Sequence, residues 1–124
     1  MTHASHHRWT DLPIDRPMPL LARRRVIGEQ VMVSQVTLEA GCFVASHAHA
    51  NEQIAMIMEG ELEFVVGVDG SPDCRSVRVK AGELLLLPSN VPHSARAIER
   101  SVVLDIFAPP SERTGIDELG ERTQ

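Results

Sequence analysis

From position 24 onward the chain alternates short apolar-rich runs with turn residues, and no run carries the 3.6-residue repeat of an amphipathic helix. The runs at 24–27, 31–38, 41–47, 53–58, 62–68, 76–79, 84–87, 94–98 and 101–107 read as strands. Turn signals part them at Gly28, Ala40-Gly41, Glu59-Gly60, Asp69 to Pro72, Ala81-Gly82 and Pro88 to Pro92. About nine short strands without a helix predict an all-β sandwich or barrel. Alternation gives the strands sides: Leu62, Phe64, Val66 and Val68 share one face, opposite Glu61, Glu63 and Val65. Ser101, Val103, Asp105 and Phe107 likewise share one parity, which sets an aspartate among apolar neighbours in the last strand.

The ends break the pattern. Within residues 1–22, Pro13, Pro17 and Pro19 fall close together and exclude a helix, so this segment is expected to be an arm or tail. Its His3, His6 and His7 read as residues of a solvated terminus. Residues 23–110 form the expected β domain, and the polar segment 111–124 a C-terminal tail or a short helical turn.

Composition narrows the partners. With one Trp, three Phe and no Tyr, the core must be aliphatic, and stacking platforms for nucleic-acid bases are nearly absent. A formal net charge of -5 argues against a polyanion-binding surface, so no nucleic acid is expected. No apolar run approaches the roughly 20 residues of a membrane helix, and the first residues lack the apolar core of a signal peptide; a cytoplasmic protein without a membrane partner is expected. Cys42 and Cys74 lack CxxC spacing and read as reduced thiols, Cys42 as a small buried residue.

Candidate chemistry gathers at residues 41–60. His47 and His49 are two apart, a spacing that puts both imidazoles on one face only in extended structure. Two such histidines are half of a metal site, and His93, beyond the Leu84 to Leu87 run, is the natural third. Gly41, His47, His49, Gln53 and Gly60, followed by Gly82, Pro88, Asn90, His93 and Ala97, resemble the two spaced motifs of the cupin superfamily. Three positions depart from that pattern: Gln53 stands where the motif has Glu, Asn90 where it has Gly, and Ala97 where it has Asn. Asn90 is benign, because Asn tolerates a left-handed backbone better than other non-glycine residues.

The resemblance implies a cupin-type double-stranded β-helix, a jelly-roll barrel. Residues 23–28, 49–64, 87–97 and 102–110 together resemble the small single-domain pectin-degradation, or KdgF-like, proteins. That group implies a metal held by His47, His49, Gln53 and His93, with Asp105 and Phe107 on the last strand. Its enzymes convert unsaturated uronates to open-chain keto sugars. Three imidazoles and an amide oxygen suit one divalent transition metal such as Zn, Ni, Fe, Mn or Co. Glu52 is the rival to Gln53, but adopting it would shift the strand by one residue and reverse its facing. A neutral Gln53 leaves the charge of the ion uncancelled, so the site should attract an anionic small molecule.

Asp105 is the candidate proton shuttle, or else a buried carboxylate satisfied by backbone amides or by Arg25. Phe107 and Arg25 are the candidate substrate-binding residues. The leading expectation is the opening or isomerisation of an unsaturated uronate. The alternatives are a metal-dependent dioxygenase of an enediol or flavonol-like substrate and a non-catalytic small-molecule-binding module. A homodimer is expected, with Met56 and Met58 on a sheet face that could serve it.

Overall fold

The computed structural model describes residues 3–117, in which ten strands make two antiparallel sheets. In chain order they are β1 (Asp15–Met18), β2 (Leu21–Ile27), β3 (Met32–Leu38), β4 (Phe43–His47), β5 (Glu52–Glu59), β6 (Glu61–Val66), β7 (Arg75–Lys80), β8 (Leu84–Leu87), β9 (His93–Ala97) and β10 (Ser101–Ala108). One sheet runs β1-β2-β3-β10-β5-β8 and the other β4-β9-β6-β7. The strand pairs lie within one sheet or the other, so this is a jelly-roll sandwich and not a barrel closed by edge-to-edge pairing.

Period-two alternation decides which residues face the interior. β3 and β10 bury every second residue along their length, Met32 to Leu38 and Ser101 to Phe107. Leu21, Val36, Leu38, Val44, Ile57, Leu62, Phe64, Val79 and Val103 fill the space between the sheets, a core of branched aliphatics around one phenylalanine. Cys42 joins them at 1% exposure. Gly60 is required where β5 turns into β6: its φ is +86°, and a Cβ there would fall 2.5 Å from the Arg100 carbonyl oxygen.

The sheet begins earlier than position 23. β1 pairs with β2 through Asp15↔Arg23 and Met18↔Leu21 with an irregular register, and β2 itself starts at Leu21. Pro17 is accommodated because β1 is an edge strand, where a missing backbone donor costs little. A 3-10 turn at Trp9–Asp11 precedes it. At the other end the segment after β10 does not trail into solvent. Thr114 is buried and Ile116 packs against the core, while 118–124 of the expected tail lie outside the described residues.

Candidate metal centre

One end of the sandwich interior is polar. β4 ends on His47, which stands opposite His93 at the start of β9; His49 follows in the loop, and Gln53 is the second residue of β5. On β10, Phe107 pairs with Gln53 and Asp105 with Ala55, so both side chains face the same interior end. The turn before β9 is fastened to the loop after β4 by the Asn90 N–H, which donates to the His49 carbonyl at 2.8 Å. Asn90 has φ 64°, the left-handed turn expected of it.

His47, His49 and His93 come together with one ring nitrogen of each within 4.8 Å of the others. Their orientation is set by the main chain. The Nδ1 atoms of His47, His49 and His93 contact the carbonyl oxygens of Ala45, Asn51 and Val91 at 2.9, 3.0 and 3.0 Å. A carbonyl only accepts, so each Nδ1 carries the proton and each Nε2 is the acceptor nitrogen of its ring. Asn51 is itself buried, and its side-chain amide donates to the Pro109 carbonyl, anchoring the loop that holds His49.

Gln53 is buried while Glu52 is exposed, so the amide and not the carboxylate reaches the histidines. Its Nε2 donates to Asp105 Oδ1 at 2.9 Å, which turns its Oε1 toward His49 Nε2 at 3.1 Å. That last contact brings two acceptors together with no proton between them. His93 Nε2 is buried without a hydrogen-bond partner. The His49 Nε2 and Gln53 Oε1 acceptors in contact, and the buried His93 Nε2 beside them, are unfavourable unless a cation lies among them. The residues present therefore fit a divalent metal, with His47, His49, His93 and Gln53 as its donors.

Electrostatics agree with the geometry. Burial, reinforced by His47 and more weakly by His49, lowers the His93 imidazole to about 4, so it is neutral at neutral pH and keeps a lone pair for a cation. Burial raises the Asp105 carboxyl to about 6, against the opposing pull of the Gln53 hydrogen bond. Phe107 meets the His49 ring edge-on with centroids 5.7 Å apart.

Arg25 does not join this group. Its Nη1 donates to the Glu112 carbonyl at 2.7 Å and its Nη2 lies 3.6 Å from Asp15, so Gln53, not an arginine, is the partner of Asp105. Sequence reasoning passed over Arg23, Thr114 and Ile116. Arg23 is 3% exposed between Asp15 and Asp117, while Thr114 and Ile116 line the cavity with His47, Gln53, His93, Asp105 and Phe107.

The fold and the histidine cluster define a β-sandwich protein with a candidate metal centre at one end. The family model for the cupin domain matches residues 34–107, and the chain belongs to that family. Its fold is similar to KdgF from Halomonas sp., at 22% identity and TM-score 0.77, covering 87% of this chain and 97% of that one. An RmlC-like cupin from Shewanella frigidimarina is similar at 25% identity and TM-score 0.71, covering 90% and 97%. Oxalate decarboxylase of Bacillus subtilis matches at 20% identity and TM-score 0.76 over 91% of this chain but only 33% of its own length. No sequence among the curated proteins matches. No helix of the described residues is long and apolar enough to cross a membrane.

Proposed function

We propose that this cupin is a metal-dependent enzyme that opens an unsaturated uronate, with Asp105 as the proton shuttle. The observation that carries this reading is the chain from His49 through Gln53 to Asp105: a neutral amide that meets the imidazoles on one side and a buried carboxyl on the other. The likeness in fold to KdgF supports the substrate class.

The reaction balances without a co-reactant. The anomeric O1–H loses its proton as the C1–O5 bond breaks, leaving a carbonyl at C1 and an enolate at C5 whose charge sits on O5, and C4 then takes that proton to give the C5 ketone. Asp105 performs both transfers, accepting from O1 and returning the proton to C4. A carboxyl near 6 suits this, since neither protonation state is far from populated at neutral pH. A divalent cation held by the three imidazoles and the Gln53 oxygen would polarise the substrate oxygens and offset the charge that develops on O5. Gln53 holds Asp105 in place, and Phe107, at 3% exposure, gives the ring an apolar wall.

The test is loss of the enol-ether ultraviolet absorbance of a 4,5-unsaturated monouronate. Metal-loaded protein should turn it over saturably, and Asp105→Ala should slow it by about 10²- to 10⁴-fold. No acceleration by the wild type, or full activity in Asp105→Ala, defeats the proposal. Oxygen uptake by the iron form with an enediol would point to a dioxygenase instead.

The working unit in this reading is a cytoplasmic homodimer. Leu84 and Leu86 on edge strand β8 are 62% and 56% exposed and stand beside Met56 and Ile54 on the outer face of the sheet, which Met58 shares, and this supports pairing with a second copy. Both cysteines are unpaired, as a reducing compartment would keep them. Leu84→Glu should halve the mass measured by sedimentation.

A further inference from the structure

The cavity beneath the histidines measures about 40 Å³, room for about three waters, whereas small-molecule sites are roughly 300–1,000 Å³. A sugar acid does not fit unless a wall moves. The walls contributed by β-strands are fixed by ladder hydrogen bonds. The remaining wall is residues 111–117, which supply Thr114 and Ile116 to the lining. Gly115, with φ +95°, packs so closely on His47 that a Cβ would lie 2.5 Å from its ring.

Two arginines hold this segment down. Arg25 Nη1 binds the Glu112 carbonyl, and Arg23 binds Asp117 through Nη2 at 2.8 Å and Nη1 at 3.4 Å. Arg23 meets Asp15 at the same time, through Nε at 3.0 Å and Nη2 at 2.7 Å. The cluster of Arg23, Arg25, Asp15 and Asp117 is neutral as it stands. Removing Asp117 leaves one positive charge, and Asp117 is only two residues, about 7 Å of chain, from the glycine on His47.

We infer that residues 111–117 are a displaceable strap, and that the seat Asp117 occupies on Arg23 receives the carboxylate of an anionic sugar-acid ligand. The ligand and the strap then compete, and the site opens only for a molecule that brings its own carboxylate to Arg23. This rests on the uronate reading above. Its test uses binding and cleavage, not turnover.

The probe is D-galacturonate, with D-galactose as the neutral control. Tryptic cleavage after Arg113 is followed by mass spectrometry on the metal-loaded full chain, and affinity by calorimetry. Galacturonate should speed cleavage at Arg113 about tenfold and galactose should leave it unchanged. Asp117→Asn should be cut about tenfold faster without ligand and bind galacturonate about tenfold tighter, the factor expected if the closed chain is competent a tenth of the time. Arg23→Lys keeps the charge but loses the paired donors, and should bind galacturonate at least tenfold more weakly. The inference is overturned if Asp117→Asn matches the wild type in both readouts, if galacturonate binds neither protein, or if folded Arg23→Lys binds it as tightly as the wild type. Turnover of the unsaturated uronate with an unaltered strap response refutes the strap alone. Strap opening without turnover refutes the proposed reaction alone.

Discussion

The two ends of strand β10 share one face and one environment class, yet they do different things. At its start, Ser101 and Val103 meet Leu38, Val36 and Ile57, a dry end where Ser101 satisfies itself on the Glu61 and Glu99 carbonyls. At its finish, Asp105 and Phe107 meet Gln53 and the histidines, where buried acceptors are left facing one another. The same period-two pattern buries both ends equally, at 8% exposure or less. The difference is that one end is satisfied by the protein alone and the other is completed by something it binds. Stability should therefore reside at the first end and ligand response at the second.

The largest effect expected is at the dry end. Ile57→Ala removes a side chain 1% exposed and should cost about 2–5 kcal/mol in denaturant unfolding, with metal affinity nearly unchanged.

The wet end is sharpened by pH. Folding lowers His93 from 6.5 to about 4, so its contribution is present above 6.5 and is lost as pH falls toward 4. Folding raises Asp105 from 3.8 to about 6, so its contribution is present below 3.8 and is lost as pH rises through 6. The two slopes oppose each other, and the metal-free protein should melt at nearly constant temperature between pH 4 and 6. Asp105→Asn removes one slope, and its stability should fall by on the order of 3 kcal/mol across that window as pH is lowered. A parallel flat profile in the variant would show that the two groups are not both buried and titrating as described.

Cation binding divides the ends again. A divalent ion at about 100 times its Kd should raise the stability of the wild type by about 2.7 kcal/mol, and His93→Ala should abolish that gain. The smallest effect is at Asn51, whose side chain only braces the His49 loop: Asn51→Ala should weaken metal binding about tenfold in a competition titration.

Much of this was legible in the chain because it is local. The i,i+2 spacing of His47 and His49 marked the pair, although β4 ends on His47 and the loop, not a strand face, carries His49; the parity of β10 put Asp105 inside. Gln53 over Glu52 followed from register, and the burial of one and exposure of the other agrees with it. β1 was hidden because Pro17 interrupts it and, among the described residues, it pairs only irregularly with β2. The strap was hidden for a different reason. Residues 111–117 are polar with Ile116 as their one large apolar residue, and what places them is an ion pair between positions 94 residues apart. No local pattern encodes that. Arg25 was expected to bind substrate or to pair with Asp105; its guanidinium instead meets the Glu112 carbonyl and Asp15.

The central claim is that His47, His49 and His93 offer their Nε2 atoms, with the Gln53 oxygen, to one cation. Anomalous diffraction from crystals soaked in a single divalent metal tests it directly. One peak equidistant from the three Nε2 atoms and Gln53 Oε1, with every Nδ1 still on its main-chain carbonyl, is the predicted result. A peak elsewhere, ligation through Nδ1, or no ion at saturating metal would contradict the account.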